Sequence, residues 1–220
     1  MPHPTTVLLD TCFRRYDKSN WSVWEGYEMA CRDLVIKNRS YRRFLQDAAI
    51  DKRTLRELVD LARLSASAGN LQSLKYILSC EPEKNEAIFK HLRWAVYLKG
   101  WGGPAEGERP AAYIIILGDT SIGENFFCDH GIAAQSILLG ATEKGLGGCM
   151  LASIDRDGLR KTLDIPDKFE ILLVIALGKP KEKVVIEKLG KEGDIKYWRD
   201  KDGVHHVPKR PLDDIIIENL

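Results

Sequence analysis

No sign of charge prevails in this chain. Its 33 Lys and Arg face 32 Asp and Glu, a net charge of +1 over 220 residues. A nucleic-acid-binding domain ordinarily concentrates a basic excess on one face, so that class is set aside. Cysteine is sparse. Cys12, Cys31, Cys80, Cys128 and Cys149 are odd in number, widely spaced and form no Cys-x-x-Cys. They make neither a disulfide framework nor a zinc site, and read as reduced thiols of a cytoplasmic protein. Long hydrophobic runs are missing too. The longest, 111–117 and 171–177, fall far below the roughly 18 residues that a membrane-spanning helix needs. The first residues lack the basic-then-apolar pattern of a signal peptide. The expectation is a cytoplasmic protein that engages neither membrane nor nucleic acid.

What is present is the composition of a folded domain, 44% hydrophobic and 30% charged. That suffices to bury a core without covalent staples. Apolar residues at helical spacing predict helices over 24–37 and 51–66, the second capped by Asp51. A turn at 65–70 and a short strand at 76–79 follow, then a helix over 85–95. Residues 100–110 hold four glycines, two prolines and three charges and read as a loop. The runs 111–117 and 169–177 read as buried strands. Between them, 126–144 reads as a central helix, apolar nearly all round. A strand at 149–152 and an Asp155-capped helix to about residue 163 complete the core. Residues 181–211 are charged and poor in large apolar side chains. They read as an arm that cannot offset its own ordering entropy and needs a surface, such as a second subunit. The fold class is α+β, helices on one mixed or antiparallel sheet, in a single domain over 1–220 with an N-terminal extension at 1–30.

Four segments carry chemistry. Asn38-Arg39-Ser40-Tyr41-Arg42-Arg43-Phe44 gathers three guanidinium groups and a hydroxyl between two helices, a pattern suited to phosphate oxygens. Ser67-Ala68-Gly69-Asn70-Leu71-Gln72 offers donors and acceptors for a heterocycle edge. Gly145-Leu146-Gly147-Gly148-Cys149 follows a helix and precedes a strand, the reverse of a dinucleotide fingerprint. It suits tight packing or a backbone cradle. His205-His206-Val207-Pro208-Lys209-Arg210 brings two late cations. The spacings of Cys128, Asp129, His130, His205 and His206 fit no metal site, so no metal is expected.

In this order these segments resemble the nitroreductase family of FMN-dependent oxidoreductases. The family's Arg-Arg-Ser-x-Arg-x-Phe, Ser-x-x-Asn-x-Gln, Gly-Leu-Gly-Ser-Cys and Leu-Gly-x-Pro segments are matched here at 38–44, 67–72, 145–149 and 177–180. Asn38 replaces the first Arg, and Met150 and Ala152 stand where some members have Pro and Glu. The resemblance implies an intertwined homodimer with FMN at its interface and a C-terminal arm, 181–220, embracing the partner. It implies that Arg39, Ser40, Lys209 and Arg210 hold the phosphate, joined by Arg42 and Arg43. Ser67, Asn70 and Gln72 would face the flavin ring from the other subunit, and Leu151, Ala152 and Ser153 would lie near its reactive edge. Arg42 is the candidate to stabilise negative charge on reduced flavin. NAD(P)H would be the hydride donor and a quinone, nitro compound or similar small molecule the acceptor. The flavin carries the chemistry, so no catalytic side chain is expected. Trp94, Tyr97, Trp101, Phe126 and Phe127 flank the loop where specificity would reside. The same scaffold could instead serve flavin destruction, reductive dehalogenation or non-catalytic flavin binding.

Overall fold

The computed structural model describes residues 30–190 and 192–217. The first helix is seen as α1, Cys31–Lys37. The expected start at 24, with Trp21 and Trp24, lies outside the described residues. A strand pair of hydrogen-bonded residues, β1 (Phe44–Leu45), leads to α2 (Lys52–Leu64), β2 (Leu74–Ser79) and α3 (Pro82–Phe89). Next come β3 (Ala112–Asp119), α4 (Asp129–Glu143), β4 (Gly147–Leu151), α5 (Arg156–Thr162) and β5 (Phe169–Pro180).

Five strands make one antiparallel sheet. β5 is its spine. One edge of β5 pairs with β3, which pairs in turn with β2. The other edge is shared end to end by β4 (Leu151↔Val174 to Gly147↔Gly178) and β1 (Phe44↔Pro180). Strand periodicity sends alternate residues of β3 to opposite faces. Ala112, Ile114 and Ile116 meet Leu55, Leu58 and Ile137 of α2 and α4. Tyr113, Ile115 and Leu117 meet Ile88, Trp94 and Leu159 on the other side. Both faces are covered, which explains the uninterrupted apolar run at 111–117.

Element boundaries differ where side chains redirect the backbone. The helix expected at 85–95 starts earlier, with Pro82 in its first turn, and stops at Phe89. Arg93 N–H then donates to the Ser153 carbonyl and Leu92 bridges Ile154, drawing the chain toward β4. α4 starts at Asp129, not 126, because Phe127 is left-handed (φ 44°) and its N–H donates to Asn125. α4 also is not enclosed on all sides within one chain. It buries Ala133, Ala134, Ile137 and Ala141, but Ile132 is 39% exposed and Gly131 and Gln135 face outward.

The charged segment after β5 builds structure of its own. β6 (Val184–Lys188) lies parallel to β8 (His205–Lys209), and β7 (Trp198–Arg199) pairs antiparallel with β8. Its charges pair within the sheet, which its composition alone did not reveal. His206 bridges Glu187 (2.8 Å) and Asp200 (3.1 Å) and stacks on Trp198 at 4.9 Å. Beyond it Leu212, Ile215 and Ile217 are exposed. Among the described residues no helix is long and apolar enough to cross a membrane.

Candidate functional site

The basic segment leaves α1 at Asn38 and runs beside the glycines that open β4. Tyr41 N–H donates to the Gly148 carbonyl at 3.0 Å, and Ser40 bridges the same residue. The glycines permit this approach. A Cβ on Gly147 would meet the Tyr41 ring at 2.4 Å, and one on Gly148 would meet Leu138 at 2.5 Å and the Ala176 carbonyl at 2.6 Å. Tight packing is therefore what this segment does.

A cleft of about 320 Å³ opens where this segment meets the C-terminal sheet. Arg39, Ser40 and Arg42 line it from one side, and Tyr197, His205 and Lys209 from the other. Met150 of β4 and Gln135 and Leu138 of α4 complete the wall, and among the described residues no carboxylate lines it. Arg39 donates to the Val35 carbonyl of α1 at 2.6 Å. Burial holds the Arg39 pKa below its ordinary value. Arg42 donates to the Ser40 carbonyl (3.2 Å), approaches His205 Nε2 (3.4 Å) and sits 4.9 Å over the Tyr197 ring. An arginine only donates, so His205 accepts on Nε2 and carries its proton on Nδ1. Burial first, and then the cations Arg42 and Arg199, push the His205 pKa down to about 4. The imidazole is thus neutral at physiological pH. Arg39 Nε, Arg42 Nε and His205 Nδ1 are all buried without a hydrogen-bond partner. Unpaired buried donors are costly. Three of them beside a cation-lined cleft mark a place for an anion.

A second cavity, about 220 Å³, lies beside the 67–72 turn and is lined by Ser67, Gln72, Tyr76, Asp129 and Ala133 among others. The turn is held by the start of α4. The Asp129 carboxylate accepts the Ser67 hydroxyl (2.7 Å) and the Ala68 N–H (2.9 Å), while Gln72 N–H donates to the Ser67 hydroxyl (3.0 Å). Gly69, Asn70 and Gln72 all have positive φ (57°, 54°, 53°), and strained backbone of this kind clusters at functional sites. Burial, and then the Asp129 charge, raise the Tyr76 hydroxyl pKa to about 12.

Of the residues singled out from sequence, Arg39, Ser40, Arg42 and Lys209 come together in the first cleft. Ser67 and Gln72 line the second cavity, with Asn70 exposed in the turn between them. Within one chain the two groups line separate cavities, and α4 contributes to both. Arg210 is exposed and outside the cleft lining, Leu151 is buried in the sheet, and Ala152 and Ser153 are exposed beyond it. Arg43 departs from the expected phosphate cluster. It forms a two-pronged pair with Glu108 (2.5 and 2.6 Å), which Lys181 joins at 3.1 Å. Those bonds hold Glu108 down to about 2. Trp94 and Phe126 are core residues, whereas Tyr97 meets Tyr197 at 5.1 Å above the cleft.

Sequence reasoning missed Glu182, Tyr197 and the anchoring role of Asp129. Asp129 carried one usable signal, an acid in the first turn of a long helix. Tyr197 and Glu182 carried none, since both sit in a segment that reads as a charged arm. Cys149 is buried, and burial raises its pKa, so it is no activated nucleophile.

Comparison with known proteins gives one consistent result. The model of the nitroreductase family matches residues 35–179. The Bacillus subtilis (strain 168) protein MhqN, named an NAD(P)H nitroreductase, is 27% identical over 180 residues, covering 67% of this chain and 87% of its own. An FMN-dependent nitroreductase structure from Clostridium difficile R20291 is 25% identical with a TM-score of 0.57, covering 68% of this chain and 87% of that one. A nitroreductase family protein from Clostridium difficile 630 shares the fold at 22% identity and a TM-score of 0.61, covering 87% and 100%.

Proposed function

The chain belongs to the nitroreductase family, and from that premise we propose that it is an FMN-dependent NAD(P)H oxidoreductase, active as a cytoplasmic homodimer, that reduces a small organic acceptor such as a quinone or nitro compound. One observation carries this reading: the cleft in which Arg39, Arg42 and Lys209 converge with three unpartnered buried donors and no opposing carboxylate. A dianionic phosphate and the polar edge of the flavin ring together complement those charges. Bound FMN supplies the two-electron chemistry. Arg39, Ser40 and Lys209 hold the phosphate, by charge and by the Ser40 hydroxyl. Arg42 faces the ring and favours negative charge on its pyrimidine edge. Neutral His205 leaves the Arg42 charge undiminished while accepting its N–H.

What one chain leaves open supports the dimer. The outward side of α4 presents Ile132, Gly131, Gln135 and Cys128, and the apolar 212–217 segment is exposed. In the proposed dimer α4 packs against its twin, and the 67–72 turn of each subunit serves the cleft of the other. Ser67, Asn70 and Gln72 then close the ring site, with the backbone at 151–153 beside it, and the C-terminal arm wraps the partner.

An absorbance spectrum of purified protein tests this reading. The expected result is a yellow protein that bleaches with NAD(P)H without oxygen and recolours in air. A colourless protein that takes up no added FMN refutes it. Intact FMN after repeated aerobic cycles excludes flavin destruction, retention of halogen by haloaromatic substrates excludes dehalogenation, and steady turnover with a quinone excludes a passive flavin carrier.

A further inference from the structure

Glu182 lies just after β5, and its side chain is 1% exposed. A carboxylate buried that deeply persists only when its oxygens are fully engaged. They are engaged in an unusual way. Oε1 accepts the backbone N–H of Arg42 and that of Arg43, the latter at 3.1 Å. Oε2 accepts Arg199 Nη2 at 2.9 Å. A purely structural ion pair would need only the second contact. Here the first oxygen is spent on two consecutive amides, which fixes the backbone at the residue whose guanidinium lines the cleft.

We propose that Glu182 is a positioning residue that sets Arg42 in the cofactor cleft and ties it to the loop at the cleft's rim. The side chains of its two amide ligands diverge. Arg42 reaches the cleft, toward His205 and over Tyr197. Arg43 turns away to Glu108. The second link runs through Arg199, whose guanidinium lies 4.4 Å over the Trp101 ring. One carboxylate thereby joins the basic segment, the C-terminal sheet and the 97–101 loop. Its charge is felt by residues next to the cleft lining: after burial, it is among the causes that raise the Tyr41 and Cys149 pKa values. Removing that charge makes the potential around the Arg42 backbone and Arg199 more positive, which makes reduction of a bound flavin easier.

This inference rests on the FMN reading, and its test separates the two. Glu182→Ala removes every acceptor, whereas Glu182→Gln keeps an oxygen for the two amides and deletes the charge. In cofactor-free protein, hydrogen exchange of peptides covering 38–46 should rise in Glu182→Ala while 112–119 stays protected. FMN affinity should fall about tenfold or more in Glu182→Ala, the scale of a lost charge-assisted contact. Glu182→Gln should recover most of that loss yet shift the flavin midpoint potential positive. Leu159→Ala, a core change remote from the cleft, should lower thermal stability and leave FMN affinity, flavin potential and the selective rise in exchange at 38–46 unmoved. A folded Glu182→Ala protein with unchanged exchange at 38–46 overturns the proposal. If Glu182→Ala does not fold, an unchanged potential in Glu182→Gln overturns it. If the wild type takes up no FMN while exchange still rises, the cofactor reading falls and the Glu182 clamp stands.

Discussion

Ser67 donates its hydroxyl to Asp129 at 2.7 Å, and the other oxygen of that carboxylate accepts the Ala68 N–H at 2.9 Å. The contact fastens a turn with three left-handed residues to the first turn of α4. The turn's internal backbone N–H bonds go back to Ser67 and Ala68, the two residues that this anchor holds. Replacing Asp129 by Ala strands the Ser67 hydroxyl and one amide in a half-buried place. The expected cost is about 3–6 kcal/mol for two bonds to a charged acceptor, at about 1.5–3 each, read as a lower urea midpoint. Asp129→Asn, which retains one acceptor, should lose roughly half as much. A loss in Asp129→Ala below about 0.5 kcal/mol, the level of an ordinary surface change, would refute the anchoring role.

Gly148 is closed in by α4 and by the backbone of β5. A methyl group there would lie 2.6 Å from the Ala176 carbonyl, which is backbone and cannot rotate aside. Gly148→Ala should therefore destabilise by about 1–3 kcal/mol, the usual cost of overpacking. Gly131, on the outer side of α4, has nothing within 4 Å. Gly131→Ala should leave the fold of each subunit as stable or up to about 1 kcal/mol more stable, from helix propensity. Equal melting temperatures for the two variants would contradict this account of the glycine segment.

These glycines show what the sequence could and could not convey. Their place between a helix and a strand was legible, and so were the two buried strands, because local periodicity encodes both. The convergence of Arg39, Arg42 and Lys209 was legible only through resemblance, since nothing local links residues about 170 apart. The departure of Arg43 was not legible at all. Arg42 and Arg43 are chemically alike in sequence, and only the backbone direction imposed by Glu182 separates them. The three-stranded C-terminal sheet was hidden for a related reason. Its cohesion comes from cross-strand pairs such as His206 with Asp200 and Glu187, which hydrophobic patterning does not register.

The divergence of those two arginines makes a sharp comparison. Arg39→Ala removes a cleft cation and should weaken FMN binding by about 10- to 100-fold, the scale of one charge-assisted contact. Arg43→Ala removes a side chain that never reaches the cleft. It should change FMN affinity by less than about threefold, well under 1 kcal/mol. Its effect falls on stability instead, because Glu108 keeps only Lys181 as a cationic partner. Fluorescence titration of FMN with the two apoproteins measures the difference. Equal losses in both variants would return Arg43 to the phosphate site.

Two adjacent histidines should give the fold opposite responses to pH. His205 titrates near 4 in the folded protein against an ordinary 6.5. The unfolded chain therefore binds this proton first. The contribution of His205 is fully present above pH 6.5 and is lost as pH falls toward 4. For His206 the hydrogen bonds to Asp200 and then Glu187 raise the pKa above 6.5. Its contribution is present below pH 6.5 and is lost as pH rises through the raised value. Between these limits both act, with His205 neutral beside Arg42 and His206 charged between its two carboxylates. The melting temperature should thus peak near pH 6.5, where the two opposed slopes meet. His206→Gln should flatten the alkaline slope alone. His205→Gln should flatten the slope between pH 6.5 and about 4.5, above the range where Glu108, held near 2 by Arg43, begins to lose its own contribution. Melts of the three proteins across this range check the assignment, and an unchanged acid slope in His205→Gln would show that some other group controls it.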